Sequence, residues 1–376
     1  MRNGAWHITF ILLLTAMTGC KKPFEPAPVK AVTNFLVVDG NINIGVDIPT
    51  TIVLSRTKQL SDSILFDPET NASVDIEQEQ GGIHSLSHLG NGIYRSLPLS
   101  LVPGKRYRLR IQAGNKTYSS AFETARVSPA IDSLTWQQDK DVTVSVHTHD
   151  PSNDTRYYRW DYTEVWNYSS SLVSAWGVSN GLVYPKDSTN QTDTCWRTAE
   201  STSILVGSSA ALDQDVISYF PVAIIPQHTE KISKGYSILV RQYAITGDAF
   251  RYFQLIRKNT EQIGTLFDGQ PSQMEGNIQC LENPAEPVIG FVTASTVSEK
   301  RLFIRNKELT DWEFFPPGTT CDLLVIGQHP TNYAIYTYPD PSYSVYYFVS
   351  GGIVIAKKTC LDCTEWGGTN VKPSFW

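Results

Sequence analysis

Charge is scarce in this chain. Only 18% of its 376 residues are Asp, Glu, Lys or Arg, the formal net charge is -6, and no block of lysine and arginine stands in it. Nucleic-acid binding needs clustered cations on one face, so no nucleic-acid partner is expected. Long apolar runs are scarce too. After Ile8–Met17 (ITFILLLTAM) no stretch comes near the roughly 20 apolar residues of a membrane-spanning helix. The metalloprotease string H-E-x-x-H does not occur, and no cysteine and histidine share a recognisable catalytic context. No cofactor motif is present. Helical periodicity is confined to one convincing segment, within Gly247–Asn277, where Phe250, Phe253 and Ile256 repeat at intervals of three.

The N-terminus is built for export. Met1-Arg2-Asn3 is positive, Ile8–Met17 is a short apolar run, and Met17-Thr18-Gly19-Cys20 follows. Small residues ahead of a cysteine resemble the bacterial lipobox, which makes Cys20 the expected lipidated residue. An ordinary cleaved signal with a structural cysteine nearby is the alternative. The next residues, KKPFEPAPVK, form a Pro-rich tether without a strand pattern. The expected division is a signal peptide over 1–19 and the lipidated cysteine with its tether over 20–32.

Most of the remainder alternates as β-strand does. In Arg106–Ile111, Tyr107, Leu109 and Ile111 point inward while Arg106, Arg108 and Arg110 point to water. Val74 and Ile76 alternate with Asp75 and Glu77, and Asn91-Gly92 is a strong hairpin turn. Several short strands at this spacing predict an immunoglobulin-like β-sandwich over 33–126. Val127-Ser128-Pro129 marks its end. A larger β-rich domain, sandwich or barrel-like, is expected over 127–376, with one bracing α-helix near 247–262. The fold class is mainly β.

Several candidate sites compete with plainer readings. The stripe of Arg106, Arg108 and Arg110 offers an anion-binding face, but such stripes are usually the solvated side of a strand. His147 and His149 share a strand face as metal ligands do, yet a third ligand would have to come from elsewhere, and no metal is expected. Arg156–Trp166 (RYYRWDYTEVW) is strongly β-prone, with Tyr157, Arg159, Asp161 and Thr163 on one face and Tyr158, Trp160, Tyr162 and Glu164 on the other. The Ser/Asn/Gly-rich stretch from Asn167 to Asp193 reads as a long loop or an irregular hairpin. With Trp166 at its entrance and Trp176 and Tyr184 inside, it is a candidate recognition surface. Five cysteines follow Cys20: Cys195, Cys280, Cys321, Cys360 and Cys363. Export permits disulfides, and the odd number leaves at least one thiol over. The pairing expected is Cys195–Cys280, with Cys321 joined to Cys360 or Cys363.

Glu261–Asp268 (EQIGTLFD), Gln270-Pro271-Ser272, Glu275–Ile278 (EGNI) and Pro287–Phe291 (PVIGF) are distinctive. So is the ending, Asp362-Cys363-Thr364, Gly367-Gly368-Thr369-Asn370 and Lys372–Trp376 (KPSFW). Together these blocks resemble the domain of unknown function 4249 family. Within them Gly264 and Gly276 read as turn residues, Phe267 and Pro271 as core anchors and the terminal Phe375-Trp376 as a packed end, while Gly367, Gly368 and Pro373 are structural residues of the closing block. Glu261 and Asp268 read as residues that cap and hydrogen-bond the irregular loop after the helix, and Asn277 as a structural residue of the block. An acid/base role for Glu261 and Asp268 is the less economical reading. The resemblance implies an outer-membrane lipoprotein of Bacteroidetes-type bacteria, working with a TonB-dependent receptor, with no established catalytic residue. The expected function is that of a non-enzymatic accessory protein capturing a small ligand, peptide or glycan at the cell exterior. A surface hydrolase and a structural or adhesion lipoprotein are the alternatives.

Overall fold

A computed structural model describes residues 34–58, 66–180, 182–261, 275–314, 321–327 and 342–376. The expected signal peptide, Cys20, the tether, and Gly264, Phe267, Asp268 and Pro271 lie outside them, and so does the side chain of Glu261. The fold is mainly β.

The first unit is one 11-stranded sheet. From edge to edge it runs Ile278–Cys280, Lys116–Ser120, Arg106–Ala113, Ala72–Gln78, Ile83–His88, Ile93–Arg95, Thr51–Arg56, Leu36–Asn43 and Thr293–Ser295. Two short strands, Asp67–Pro68 and Glu123–Thr124, hang off this path. The sheet curls, because strands near both ends feed one core: Leu36, Ile52, Val74, Ile76, Leu109 and Tyr118 are all buried in the same cluster. Fully burying each such side chain contributes about 1.5–3 kcal/mol. Tyr107, Leu109 and Ile111 face inward, as the alternation predicts. The core also draws on residues well beyond 33–126. Ile278, Cys280, Val288, Val292 and Ala294 belong to it, and Thr293–Ser295 pairs in parallel with Asn41–Asn43.

The second unit packs a three-stranded sheet (Ile131–Gln138, Val142–His149, Val216–Ile225) on a five-stranded one. The larger sheet orders Thr194–Glu200, Tyr157–Ser169, Gly235–Ala244 and Val297–Arg305, with Leu205–Ser208 also against the long strand Tyr157–Ser169. That long strand is the spine. Tyr158, Trp160, Trp166 and Tyr168 enter the core with Val142, Val144 and Val146 from the opposing sheet. Trp160 donates its indole N–H to Gln242 at 2.9 Å, which satisfies its one polar atom.

Of the two readings of 167–193, a long loop or an irregular hairpin, the structure takes the hairpin. Its strands Trp176–Ser179 and Leu182–Pro185 form an antiparallel hairpin that lies on a small sheet of Leu324–Gly327, Gly352–Lys357 and Tyr343–Val349. Trp176, Val178 and Val183 pack against Val345, Ile353 and Ile355, an alternation masked by the polar residues around it. The Ser174 hydroxyl fixes the join by donating to the Val345 carbonyl at 2.7 Å.

The disulfides are Cys195–Cys363 and Cys321–Cys360, and Cys280 is a buried free thiol. The expected Cys195–Cys280 bond is therefore corrected. Cys280 is held in the first unit by its pairing with Tyr118, whereas Cys195 lies in the second unit's core.

The helix Gly247–Glu261 starts where Thr246 caps it, its hydroxyl accepting from the Ala249 amide at 3.2 Å. Asp248 and Lys258 sit at the ends that the helix dipole favours. Its apolar face, Ala249, Phe250, Tyr252, Phe253 and Ile256, meets Tyr157 and Val206 of the second unit and Phe291 of the segment returning to the first. It braces the junction of the two units. A second helix, Lys358–Leu361, is a single turn.

Candidate functional site

The outward face of the long strand carries Arg159 and Asp161 to the place where the units meet. Val37–Asp39 of the first strand, Ser201–Ile204, the helix residues Tyr252, Phe253 and Ile256, and Ile289–Phe291 close around them, leaving a cavity of about 280 Å³. The returning segment is fixed by backbone bonds, Val38 N to Ile289 O at 2.8 Å and Ile289 N to Leu36 O at 2.9 Å. Gly290 has φ 149°, and a Cβ on it would stand 2.3 Å from the Val38 carbonyl oxygen. Gly276 reads as a turn residue in the sequence, but its role is this close approach: its Cβ would lie 1.8 Å from the Gly290 oxygen. Asn277 clamps the same segment, donating to Val292 O at 2.8 Å and accepting from Val292 N at 2.9 Å.

Two arginines on this sheet differ in their surroundings. Arg241 is paired with Asp161 and donates to Thr163 at 2.8 Å and Glu200 at 3.0 Å. Burial opposes its charge, but Asp161 and Glu200 outweigh that and raise its pKa. Arg159 lies over two rings, 4.9 Å from the Phe253 centroid and 5.6 Å from that of Tyr243. Its nearest acid is Asp39 at 3.6 Å, outside hydrogen-bond reach and 69% exposed. Among the described residues its guanidinium donates no hydrogen bond.

Tyr252 is 5% exposed, and its hydroxyl also lacks a hydrogen-bond partner. Burial pushes its pKa up to about 12, opposed by the Gly290 amide, which is close enough to act on the hydroxyl without meeting hydrogen-bond geometry. The hydroxyl therefore keeps its proton. The cavity is lined by Arg159, whose guanidinium donates no hydrogen bond among the described residues, with Val38, Ile204, Ile256 and Phe291, while the Tyr252 hydroxyl is closed off from solvent.

A wider hollow of about 700 Å³ lies on another side of the junction, between Thr124–Val127 and the turn Asp150–Thr155. Two of its acids, Asp132 and Asp150, are engaged. His149 Nδ1 meets Asp132 at 2.8 Å, and Asp132 raises the pKa of that imidazole. Asp150 accepts from the Ser152, Asp154 and Thr155 amides at 2.9, 3.1 and 2.8 Å. Burial alone would raise its pKa, but the bonds from Ser152 and Thr155 hold it at about 2.

The sequence candidates mostly resolve into packing. Trp166 is buried, with Lys231 over its ring at 5.5 Å. Trp176 meets Phe348 edge-on at 4.6 Å, and the Tyr184 ring lies directly against Gly177. These three aromatics form no common surface, because the hairpin turns them onto the small sheet and the core. Arg108 and Arg110 both reach Glu77, and Arg106 reaches Glu79 at 2.6 Å, so the arginine stripe is a paired ladder. His147 and His149 do share a strand face, but His147 bonds Thr135 at 2.8 Å while His149 bonds Asp132. Among the described residues no three His, Cys, Asp or Glu side chains stand together as metal ligands. Gly367 and Gly368 lead into Thr369, whose amide and carbonyl bond Trp196 at 3.0 and 2.8 Å. The Trp376 amide donates to the Pro373 carbonyl at 3.1 Å, and the Trp376 ring packs on Phe303. Phe375 stays 40% exposed beneath the Arg301 guanidinium.

One string escapes the motif reading. Gly177-Val178-Ser179-Asn180-Gly181 has the letters of the G-x-S-x-G nucleophile elbow. The elbow needs a strand-to-helix turn, whereas Ser179 ends one strand of a hairpin and is exposed opposite Leu182.

The cavity residues Asp39, Tyr252 and Ile289 carry no local sequence signal. Arg159 carried one, as a lone cation inside an aromatic strand.

The family model described as domain of unknown function (DUF4249) matches residues 21–301. Among curated proteins no match is found.

Proposed function

From the premise that the chain belongs to the DUF4249 family, we propose that it is a non-enzymatic binding protein, lipid-anchored through Cys20 to the outer membrane and facing the cell exterior. It works there beside a TonB-dependent receptor, capturing or admitting a ligand. One observation carries the binding role: the junction cavity is walled by five separate stretches of chain and is lined by Arg159, whose guanidinium donates no hydrogen bond among the described residues. Such concave, largely apolar sites with a few convergent polar groups are where small ligands bind. Met17-Thr18-Gly19-Cys20 and the Pro-rich residues after it support the anchor.

The test is affinity purification of the full chain from detergent-solubilised membranes, with mass spectrometry of what comes with it. A TonB-dependent receptor is expected in near-stoichiometric amount, and Cys20→Ala should release the protein from the membrane fraction. Recovery without any such receptor overturns the partnership. Unchanged membrane attachment of the Cys20→Ala form overturns the anchor.

A further inference from the structure

We propose that the junction cavity binds a free amino acid, its α-carboxylate at the Arg159 guanidinium and its α-ammonium at the Asp39 carboxylate. The inference deepens the binding role above and rests on it.

Two charges of opposite sign stand at this cavity, and neither is spent. The Arg159 guanidinium lies between the Asp39 carboxylate, 3.6 Å away, and the Phe253 ring, 4.9 Å from its centroid, and all three residues line the cavity. The gap to Asp39 is too wide for a hydrogen bond. Among the described residues the guanidinium donates no hydrogen bond and the Asp39 carboxylate accepts none. The Arg159 side chain is only 18% exposed, so leaving its donors unmet is costly. Asp39 is 69% exposed, so an incoming group reaches it from solvent. The remaining charged residue of the lining, Asp161, is committed to Arg241.

A ligand of one sign serves only half of this arrangement. A simple carboxylate would meet Arg159 and stand against the like charge of Asp39, and a simple amine would meet Asp39 and stand against Arg159. The α-carbon of an amino acid carries both signs on neighbouring groups. Its carboxylate matches the guanidinium fork in geometry and charge, and its ammonium donates to the Asp39 carboxylate. The closeness of the two protein charges selects this α-pair over a peptide, whose opposite termini lie at least one residue further apart.

The rest of the wall sets the side chain. Val37 and Ile256, both half-buried, line the same cavity and offer it an apolar surface. A volume of about 280 Å³ lies at the small end of ligand sites, which limits the occupant to a compact aliphatic amino acid.

The experiment is titration calorimetry of the full mature chain with four ligands. These are L-leucine, 4-methylpentanoate (which lacks only the ammonium), 3-methylbutylamine (which lacks only the carboxylate) and leucyl-leucine. Saturable binding of leucine is expected, with each of the others at least tenfold weaker. Arg159→Gln should weaken leucine by about 10–100-fold, as loss of a charge-assisted hydrogen bond does. Asp39→Asn should weaken leucine by about tenfold and leave 4-methylpentanoate no weaker, so the preference between them collapses. This second variant alters an exposed side chain, and it decides the matter if Arg159→Gln misfolds. Three results would each overturn the proposal: 4-methylpentanoate binding as tightly as leucine, no binding of leucine, valine or methionine at millimolar concentration, or an Asp39→Asn protein that keeps the wild-type preference. If a receptor still co-purifies in those cases, the amino-acid site fails alone and the partnership stands. Leucine binding without a co-purified receptor has the opposite meaning.

Discussion

The first unit and the second treat their buried polar groups in opposite ways. In the curled sheet of the first, among the described residues before Arg126, no buried side-chain polar atom lacks a partner. Arg108 and Arg110 share Glu77, Arg56 holds Glu69 at 2.7 Å, and Tyr118 is held between Arg56 and Glu286. Apart from Arg126 at the boundary, the second unit and the junction hold the unmet atoms, among them the indole N–H groups of Trp166, Trp196 and Trp312, one oxygen of Glu230, and the Tyr252 hydroxyl. A group left unsatisfied in a native interior calls for a water, an ion or a ligand. The difference separates a scaffold whose polar groups are closed upon themselves from a body that keeps some of them open.

Covalent staples divide the units in the same way, and cutting one has the largest expected effect. Both disulfides lie in the second unit and its small C-terminal sheet, and the first unit holds only the free thiol of Cys280. Cys195–Cys363 spans 168 residues. On the loop-entropy account, a bond closing so long a loop contributes about 5 kcal/mol. Cys195→Ala should therefore lower the urea midpoint of the tryptophan signal steeply, while Cys280→Ala should cost about 1 kcal/mol, as a small core truncation does. Equal losses in the two variants would erase the distinction.

Acid should break the first unit through its ladder. Burial alone would raise the Glu77 pKa, but Arg108 and Arg110 hold it below its ordinary value of 4.5. A carboxylate with a depressed folded pKa contributes stability that is present above its unfolded pKa and is lost as pH falls through the folded one. Hydrogen-exchange protection of Ala72–Gln78 and Arg106–Ala113 should thus decline below about pH 4.5. Asp150 of the second unit, held at about 2, keeps its turn over that range. Glu77→Gln should cost about 2 kcal/mol and flatten the decline, since charged hydrogen bonds contribute roughly 1.5–3 kcal/mol. A variant with the wild-type acid profile would show that the ladder is not what acid breaks.

Local pattern made much of this fold legible. The alternation in Arg106–Ile111 gave its inner and outer faces, RYYRWDYTEVW gave both faces of the long strand, and the aromatic triplet spacing located the helix, expected at 247–262 and observed at Gly247–Glu261. What stayed hidden depends on pairing between distant residues. Ile278–Cys280 lies against Tyr118–Ser120, and Thr293–Ser295 against Asn41–Asn43, and no periodicity records such partners. The cavity was hidden for the same reason, since Asp39, Arg159, Tyr252 and Gly290 come together only in the folded chain. The hairpin of Trp176 was half legible: its inward residues alternate, but serine, asparagine and glycine around them imitate a loop, so a long loop and an irregular hairpin both stayed open.

The finest test sets two tyrosines side by side. Tyr118 and Tyr252 are both buried, at 0% and 5% exposure. The Tyr118 hydroxyl donates to Glu286 at 2.9 Å and accepts from Arg56 at 3.4 Å, whereas that of Tyr252 has no partner. Replacement by phenylalanine removes the same atom from each and leaves the ring packing alone. Tyr118→Phe should cost about 1.5–3 kcal/mol, the worth of a hydrogen bond to a charged group. Tyr252→Phe should cost nothing or stabilise slightly, because it removes only a desolvated donor. Thermal melting of both variants reads the difference. If Tyr252→Phe is instead as costly as Tyr118→Phe, its hydroxyl already has a partner in the free protein, and the open character assigned to the junction is lost.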